Sequence, residues 1–489
     1  MPTVTLGGTR RATRIAAAVS DATALAGLLL IALAWRWSVA VTVSTGDAAD
    51  SSQVAQVAAR IGSGERPLFL PDSPPVGSLE AYLTAPLIAQ FGPSAGVVRA
   101  VPLLLALAFV LATYAIGRTV WDARVAWWSA VIAAVGPAFL ILAGVSAGRG
   151  APVVLALGTA ALALLACIRR RPGSQPAAFG LAGLLIGLAC WTRPVGLVYL
   201  LPAVGLAVTR WRRWADDDAA PTEGSLGASA LPSDGRQSVS DPAGTAASAP
   251  ADRTPPRSRV AWEALAGLLG LILGAWPLIW TALQSPDSVP FAQAPAPDPL
   301  DLARRARDLV IESLPIVAGF LQPSASADLF EQQLREARIW QVGGLCIALA
   351  AIAGVAWHVG LAVAAGRRPG AWWLIPLLPA TPIAFLVPVL GWSRPTDPTD
   401  LLPWYSLVPL VVAIVVRSPG YRRRGRRLLL FVPLVILWLS ISLGLDPRLY
   451  RATESLPPAA GQAIDRQVEA ARGASNRPVD RGGGRGGAG

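Results

Sequence analysis

The chain has 489 residues, 53% of them hydrophobic and 15% charged, with a mean hydropathy of +0.49. A soluble globular domain carries about 25% charged residues, so an ordinary soluble enzyme is excluded. The net charge is +12, from 42 basic residues that are all arginine against 30 acidic ones. These arginines cluster at the borders of apolar runs, where orientation signals belong, and nucleic-acid binding is excluded with them.

Apolar runs of about 20 residues recur from Ile15 to Leu445, each long enough to cross a hydrocarbon core. They predict an all-α, multi-pass integral membrane protein. Eleven spans are expected, at 15–35, 99–117, 125–145, 151–168, 178–192, 194–209, 260–283, 340–363, 371–391, 401–416 and 428–445. The first follows Arg10, Arg11 and Arg14 and is too long and apolar for a cleavable signal, which places the N-terminus in the cytoplasm. Alternation then puts Arg118/Arg124, Arg169 to Arg171, Arg210/Arg212/Arg213, Arg367/Arg368 and Arg422 to Arg427 on one side. Leaving out the tail after Leu445, 23 arginines fall on that side and 12 on the other, the positive-inside pattern of a plasma (inner) membrane protein.

In chain order, residues 1–214 form an N-terminal transmembrane half with a large first outer loop, 36–98. Residues 215–259 are rich in Asp, Pro, Ser, Ala, Gly and Thr without helical periodicity and read as a disordered cytoplasmic linker. Residues 260–445 form a C-terminal transmembrane half, and 446–489 a tail, largely disordered at its end. Cys167, Cys190 and Cys346 lie far apart in apolar spans beside a single histidine, His358; no disulfide framework or His/Cys metal site follows. Ionisable residues are nearly absent from the spans. Asp21 and His358 fall near cytoplasmic borders and read as interfacial, which speaks against a proton-coupled transporter.

The chemistry is therefore sought in the first outer loop. In Thr45-Gly46-Asp47-Ala48-Ala49-Asp50-Ser51-Ser52-Gln53-Val54, with Val57, Ala58 and Ile61 beyond, apolar residues fall at i, i+3, i+4 and i+7. That spacing predicts an amphipathic helix along the membrane surface. Asp50 is its first residue or cap, and Gln53 three residues later completes a capping pattern that needs no catalysis. After Gly64-Glu65-Arg66-Pro67-Leu68-Phe69 and a Pro-rich turn, Gly77-Ser78-Leu79-Glu80-Ala81-Tyr82-Leu83 opens a second amphipathic helix. Glu80 sits in its first turn, where the helix dipole alone favours a carboxylate. At the outer ends of spans stand Arg36, Arg149, Arg193 and Arg394, each able to snorkel to the interface or to face an anionic group.

These stretches, in order an Asp, a short A-x-x-A helix, G-E-R-P-L-F, G-S-L-E-A-Y-L and F-G-P-S before an apolar span, resemble the membrane glycosyltransferases of family 39. That family has the GT-C fold and is related to protein mannosyltransferases and aminoarabinose transferases. Gly183 to Gly196 (GLLIGLACWTRPVG) and Leu401-Leu402-Pro403-Trp404-Tyr405 are similar to two later segments of that family, so the resemblance spans roughly residues 15–445. It implies that the first outer loop supplies the catalytic carboxylate. It further implies a donor sugar on a polyprenyl phosphate, transferred with inversion to a protein, glycan or lipid acceptor on the non-cytoplasmic side.

Counted back from Gly64, the matching base is Asp50, with Asp47 in reserve. Glu80 would orient the acceptor or help hold a divalent cation, which some GT-C enzymes use and others do not. Arg36, Arg149, Arg193 and Arg394 would supply charge for the donor phosphate. The family's usual Glu after the Asp is Ser51 here, and the aromatic residues that commonly follow are Gln53 and Val54. Two other readings stay open: a transporter or lipid flippase, and a non-catalytic GT-C relative.

Overall fold

The computed structural model of the chain describes residues 7–42, 48–71, 76–169, 175–219, 256–284, 299–309, 313–317, 372–377, 380–382 and 398–410. Asp47, Arg394, His358 and Cys346 lie outside these residues, as do the expected spans at 340–363 and 428–445, most of 371–391, the end of 401–416, the middle of the linker, and the tail. The described residues are mainly helical. In chain order they give α1 (Gly7–Thr42), α2 (Ala48–Gly62), α3 (Leu79–Phe91), α4 (Ala95–Val120), α5 (Ala123–Val135), α6 (Ala138–Val145), α7 (Ala151–Arg169), α8 (Pro176–Thr192), α9 (Leu200–Ala219), α10 (Pro256–Gly274) and α11 (Trp276–Gln284).

Each of the first seven expected spans meets helix. Among the described residues, three stretches, Asp21–Ala40, Ala95–Val120 and Ala151–Arg169, are long and apolar enough to cross a membrane singly. Two expected single spans are bent. The run 125–145 divides into α5 and α6 at 71°, and the run 260–283 into α10 and α11 at 61°. Both breaks carry a proline, Pro137 ahead of α6 and Pro277 inside α11. Proline removes a backbone donor and clashes with the preceding turn.

Other boundaries move outward. The first helix runs to Thr42 because Val39 and Ala40 continue its apolar face onto Leu103, Ile141 and Val145. Arg36 therefore lies inside α1 and not after it. Both ends of the expected linker, 215–219 and 256–259, are helical extensions of α9 and α10. The expected span at 401–416 begins as a 3₁₀ segment, Pro398–Ser406.

Local capping sets several starts. The Ser94 hydroxyl accepts from the Val97 N–H at 3.3 Å at the head of α4, and Asp122 accepts from the Val125 N–H at 2.9 Å at the head of α5, each filling an orphan donor of a first turn. At the end of α8 the chain breaks at Arg193-Pro194, makes a 3₁₀ turn over Pro194–Tyr199, and enters α9. α7 packs between α4 and α8 and is buried along most of its length, the centre of the bundle. Glu263 of α10, 2% exposed, accepts from the Gln175 N–H at 2.9 Å, so a carboxylate from one helix sits at the positive end of another.

α8 and α10 pack backbone to backbone. A Cβ at Gly183 would run into the carbonyl of Gly267, one at Gly270 into that of Gly180, and one at Gly274 into that of Leu184. Such small-residue contacts let membrane helices approach closely. The pairing advances in the same sense on both helices, so they run parallel. Gly183→Leu is expected to separate them and cost about 3 kcal/mol or more, read as a lowered Tm of the detergent-solubilised protein. Gly27→Ala, with nothing within 4 Å of the new methyl, is expected to leave Tm unchanged or higher.

Candidate functional site

The two expected loop helices form, and the apolar face of the first packs against protein. Val54, Ala55, Val57 and Ala58 of α2 are buried with Leu70, Ala81, Ala85, Ile88, Val98 and Ala147. α3, expected to be amphipathic, is apolar on most sides, with Leu83 and Phe91 exposed while Glu80 is buried; it covers the apolar face of α2 that was expected to meet lipid, because an amphipathic helix buries its stripe against any apolar neighbour. The segment between them folds back: Leu70 donates to the Val76 carbonyl at 2.9 Å, and Gly77 donates to the Thr192 carbonyl at 3.0 Å. The Trp191 indole N–H donates to the Leu68 carbonyl at 3.0 Å. The loop is thereby fastened to the end of α8.

α2 begins at Ala48, so Asp50 is in its first turn and not its cap. Asp50 Oδ2 accepts from Arg149 Nε at 3.1 Å, across 99 residues. The pair is partly open, with the Arg149 side chain 46% and the Asp50 side chain 30% exposed. Arg149 is carried by the turn Gly148-Arg149-Gly150 between α6 and α7. Both glycines have positive φ, +94° and +64°, a region costly for other residues. Both also meet close neighbours: a Cβ at Gly148 would lie 2.5 Å from the Asp50 carbonyl oxygen, and one at Gly150 would lie 2.6 Å from Thr192 Cγ2 and 3.4 Å from Arg193 Cγ.

Glu80 stands under this turn. It is 1% exposed, and the Gly148 N–H donates to both of its carboxylate oxygens at 3.2 Å. Burial raises its pKa from 4.5 to about 7; the N–H groups of Gly148 and Gly150 pull the value back down, and the charge of Asp50 raises it further. The carboxyl thus faces the backbone that carries Arg149, an arrangement that neither helix-dipole placement nor direct acceptor contact requires.

The remaining arginines have distinct surroundings. Arg193, 5% exposed, forms a buried ion pair with Asp400 at 3.0 Å and donates to the Thr399 hydroxyl at 2.5 Å. Nearby, the Ser406 hydroxyl is 2.7 Å from that of Thr159 and 2.9 Å from that of Tyr199, which holds the 398–406 segment against the bundle. Arg36 is 1% exposed and donates through Nη2 to the Ala133 carbonyl at 2.9 Å, while its Nε and Nη1 meet no acceptor among the described residues. Asp21 lies 3.9 Å from Arg118 in a half-exposed pair, the weak kind expected at a surface.

The structure therefore brings Asp50, Glu80 and Arg149 together and leads Arg193 to a different partner. Asp400 and Thr399 were missed by sequence reasoning; the acid beside the Leu401-Leu402-Pro403 segment was the available signal. Gly148 and Gly150 were missed too, although a Gly-Arg-Gly between two apolar runs is legible as a tight turn. Among the described residues no group of three or more His, Cys, Asp or Glu is assembled that could hold a metal ion.

Residues 72–231 match the sequence family described as dolichyl-phosphate-mannose-protein mannosyltransferase. That stretch takes in Glu80, Arg149 and Arg193, begins after Asp50, and is narrower than the 15–445 of the resemblance read in the sequence. No curated protein matches the chain. Among solved structures, ArnT from Cupriavidus metallidurans in the apo state aligns with a TM-score of 0.51 and 13% identity, covering 94% of this chain and 75% of that one. The same protein bound to undecaprenyl phosphate gives 0.51 and 13%, over 93% and 76%. The Archaeoglobus fulgidus oligosaccharyltransferase, in complex with zinc and sulfate, is a weaker likeness: 0.48 and 15%, over 88% and 53%. The fold is that of ArnT, a GT-C fold in an integral membrane protein.

The raised pKa of Glu80 carries a prediction. A carboxyl whose folded-state pKa lies above its unfolded one stabilises the fold while protonated, and that contribution is lost as pH rises from about 4.5 to about 7. The Tm of wild type relative to Glu80→Gln should therefore fall over this window and stay constant above it. A difference that is flat from pH 4 to 8 would show that Glu80 titrates as an ordinary carboxylate.

Proposed function

Taking the chain as the membrane glycosyltransferase that its fold and family match indicate, we propose that it transfers a sugar from a polyprenyl-phosphate donor, with inversion, to a hydroxyl acceptor on the non-cytoplasmic side. The observation that carries this reading is the meeting of Asp50 and Arg149 at 3.1 Å. A carboxylate and a guanidinium from segments 99 residues apart share one partly open position beside a buried third charge-bearing group, Glu80. The family match to dolichyl-phosphate-mannose enzymes and the undecaprenyl phosphate held by ArnT support a lipid-phosphate donor.

In this reaction Asp50 takes the proton of the acceptor hydroxyl. The acceptor oxygen forms a bond to the anomeric carbon as the bond from that carbon to the phosphate oxygen breaks, and the electron pair leaves with the polyprenyl phosphate. The donor phosphate goes from one negative charge to two, so a guanidinium beside it stabilises the transition state more than the ground state. Arg149 is the arginine for this role. Arg193 is committed to Asp400 and Thr399, and Arg36 is enclosed in the bundle; Arg394 and the reserve base Asp47 lie outside the described residues. Asp50 and Glu80 alone, one paired to arginine and the other bonded to backbone N–H, do not amount to a cation cage, and no step is assigned to a metal. The acceptor class stays open among protein, glycan and lipid.

Asp50→Asn in purified protein reconstituted into lipid is expected to abolish sugar transfer, by 10²-fold or more on the order of general-base losses, while leaving expression and Tm near wild type. Asp47→Asn is expected to lose much less. Full activity of Asp50→Asn with a dead Asp47→Asn would move the base three residues upstream. A wild type that binds polyprenyl phosphate but transfers no sugar would favour a non-catalytic GT-C protein.

A further inference from the structure

Arg149 and Asp50 raise a question that the reaction leaves open. If Arg149 serves the donor phosphate and Asp50 the acceptor proton, each occupies the other: Oδ2, an oxygen that would take the proton, accepts from Arg149 Nε at 3.1 Å. We infer that Arg149 is an exchangeable latch on Asp50, paired with it until a lipid-linked phosphate draws the guanidinium away and frees the carboxylate.

Four observations carry this. Of the three span-end arginines within the described residues, Arg149 alone has a largely accessible side chain, at 46%, against 5% for Arg193 and 1% for Arg36. A half-exposed ion pair is weak, whereas a phosphate with two or three acceptor oxygens offers a guanidinium a bidentate partner. The backbone under Arg149 does not have to move: Gly148 is bonded to buried Glu80, and the two glycines are wedged between Asp50 on one side and Thr192 and Arg193 on the other. Lastly, the Arg149–Asp50 contact joins side chain to side chain, so exchange at this contact breaks no backbone hydrogen bond.

The consequence is an order of events. The base stays engaged until the donor is present, so a hydroxyl or water reaching the site first is not activated. Glu80 becomes a positioning residue, holding the turn from which Arg149 swings.

The inference rests on the proposed function but is tested without turnover, by the affinity of polyprenyl phosphate for the full-length protein in nanodiscs. Because Asp50 competes with the phosphate for Arg149, Asp50→Asn should bind polyprenyl phosphate about two- to fivefold more tightly than wild type. Arg149→Gln should bind it about tenfold or more weakly. In Asp50→Asn/Arg149→Gln the gain should disappear, leaving the affinity of Arg149→Gln alone. A gain that persists without Arg149 reports simple charge repulsion and overturns the latch, as does an Asp50→Asn variant that binds no tighter. In both cases the proposed reaction stands if wild type transfers sugar. A wild type that does not bind polyprenyl phosphate overturns the latch and the proposed donor together.

Discussion

One tight turn organises the end of the bundle that holds Asp50, Glu80 and Arg149. Gly148 and Gly150 both take positive φ, which only glycine does without penalty, and each has a neighbour where a Cβ would stand. Remove that freedom and Asp50 is pushed off on one side, Thr192 and Arg193 on the other. The Gly148 N–H finds its acceptor in a carboxyl, Glu80, that is itself enclosed, so the turn and the long first loop fix each other. Arg149 stands between the two glycines and faces Asp50 for that reason. Three stretches far apart in sequence, the first loop, the α6–α7 turn and the end of α8, are thus brought to one place by contacts that are mostly backbone.

Burial sorts the charges into kinds. Arg193 and Asp400 are almost fully enclosed, and an enclosed pair is costly to break because a lone charge would be stranded. That makes them a fastening between the end of α8 and the 398–406 segment. The hydroxyls of Thr159, Tyr199 and Ser406 continue the same fastening deeper in the bundle. Asp50 and Arg149 are partly open, and an open pair is easily exchanged. Their likeness in distance to the buried pair, 3.1 Å against 3.0 Å, conceals opposite roles.

Much of this was legible in the sequence, and the rest failed for identifiable reasons. The apolar runs located the helices of the first seven expected spans because span length is dictated by bilayer thickness. Asp50, Glu80 and Arg149 were singled out from helix position, span-end position and resemblance. What the sequence did not contain was their pairing, since contacts over 99 residues leave no periodic trace in one chain. The amphipathic stripe of α2 was read correctly as a helix but assigned to the wrong neighbour; periodicity says that a face is covered, not by what. The pairing of Arg193 with Asp400 left no periodic trace either. The bends at Pro137 and Pro277 were within reach, because proline inside an apolar run is a standing warning of a break.

The central claim is that a lipid-linked phosphate is received by Arg149 in front of Asp50. It is tested most directly by an experimental structure of the protein in lipid with polyprenyl phosphate bound. The account predicts phosphate density within about 3 Å of the Arg149 guanidinium, with the Asp50–Arg149 contact opened and the Gly148-to-Glu80 hydrogen bond kept. Phosphate bound elsewhere, with Asp50 and Arg149 still joined, would contradict it.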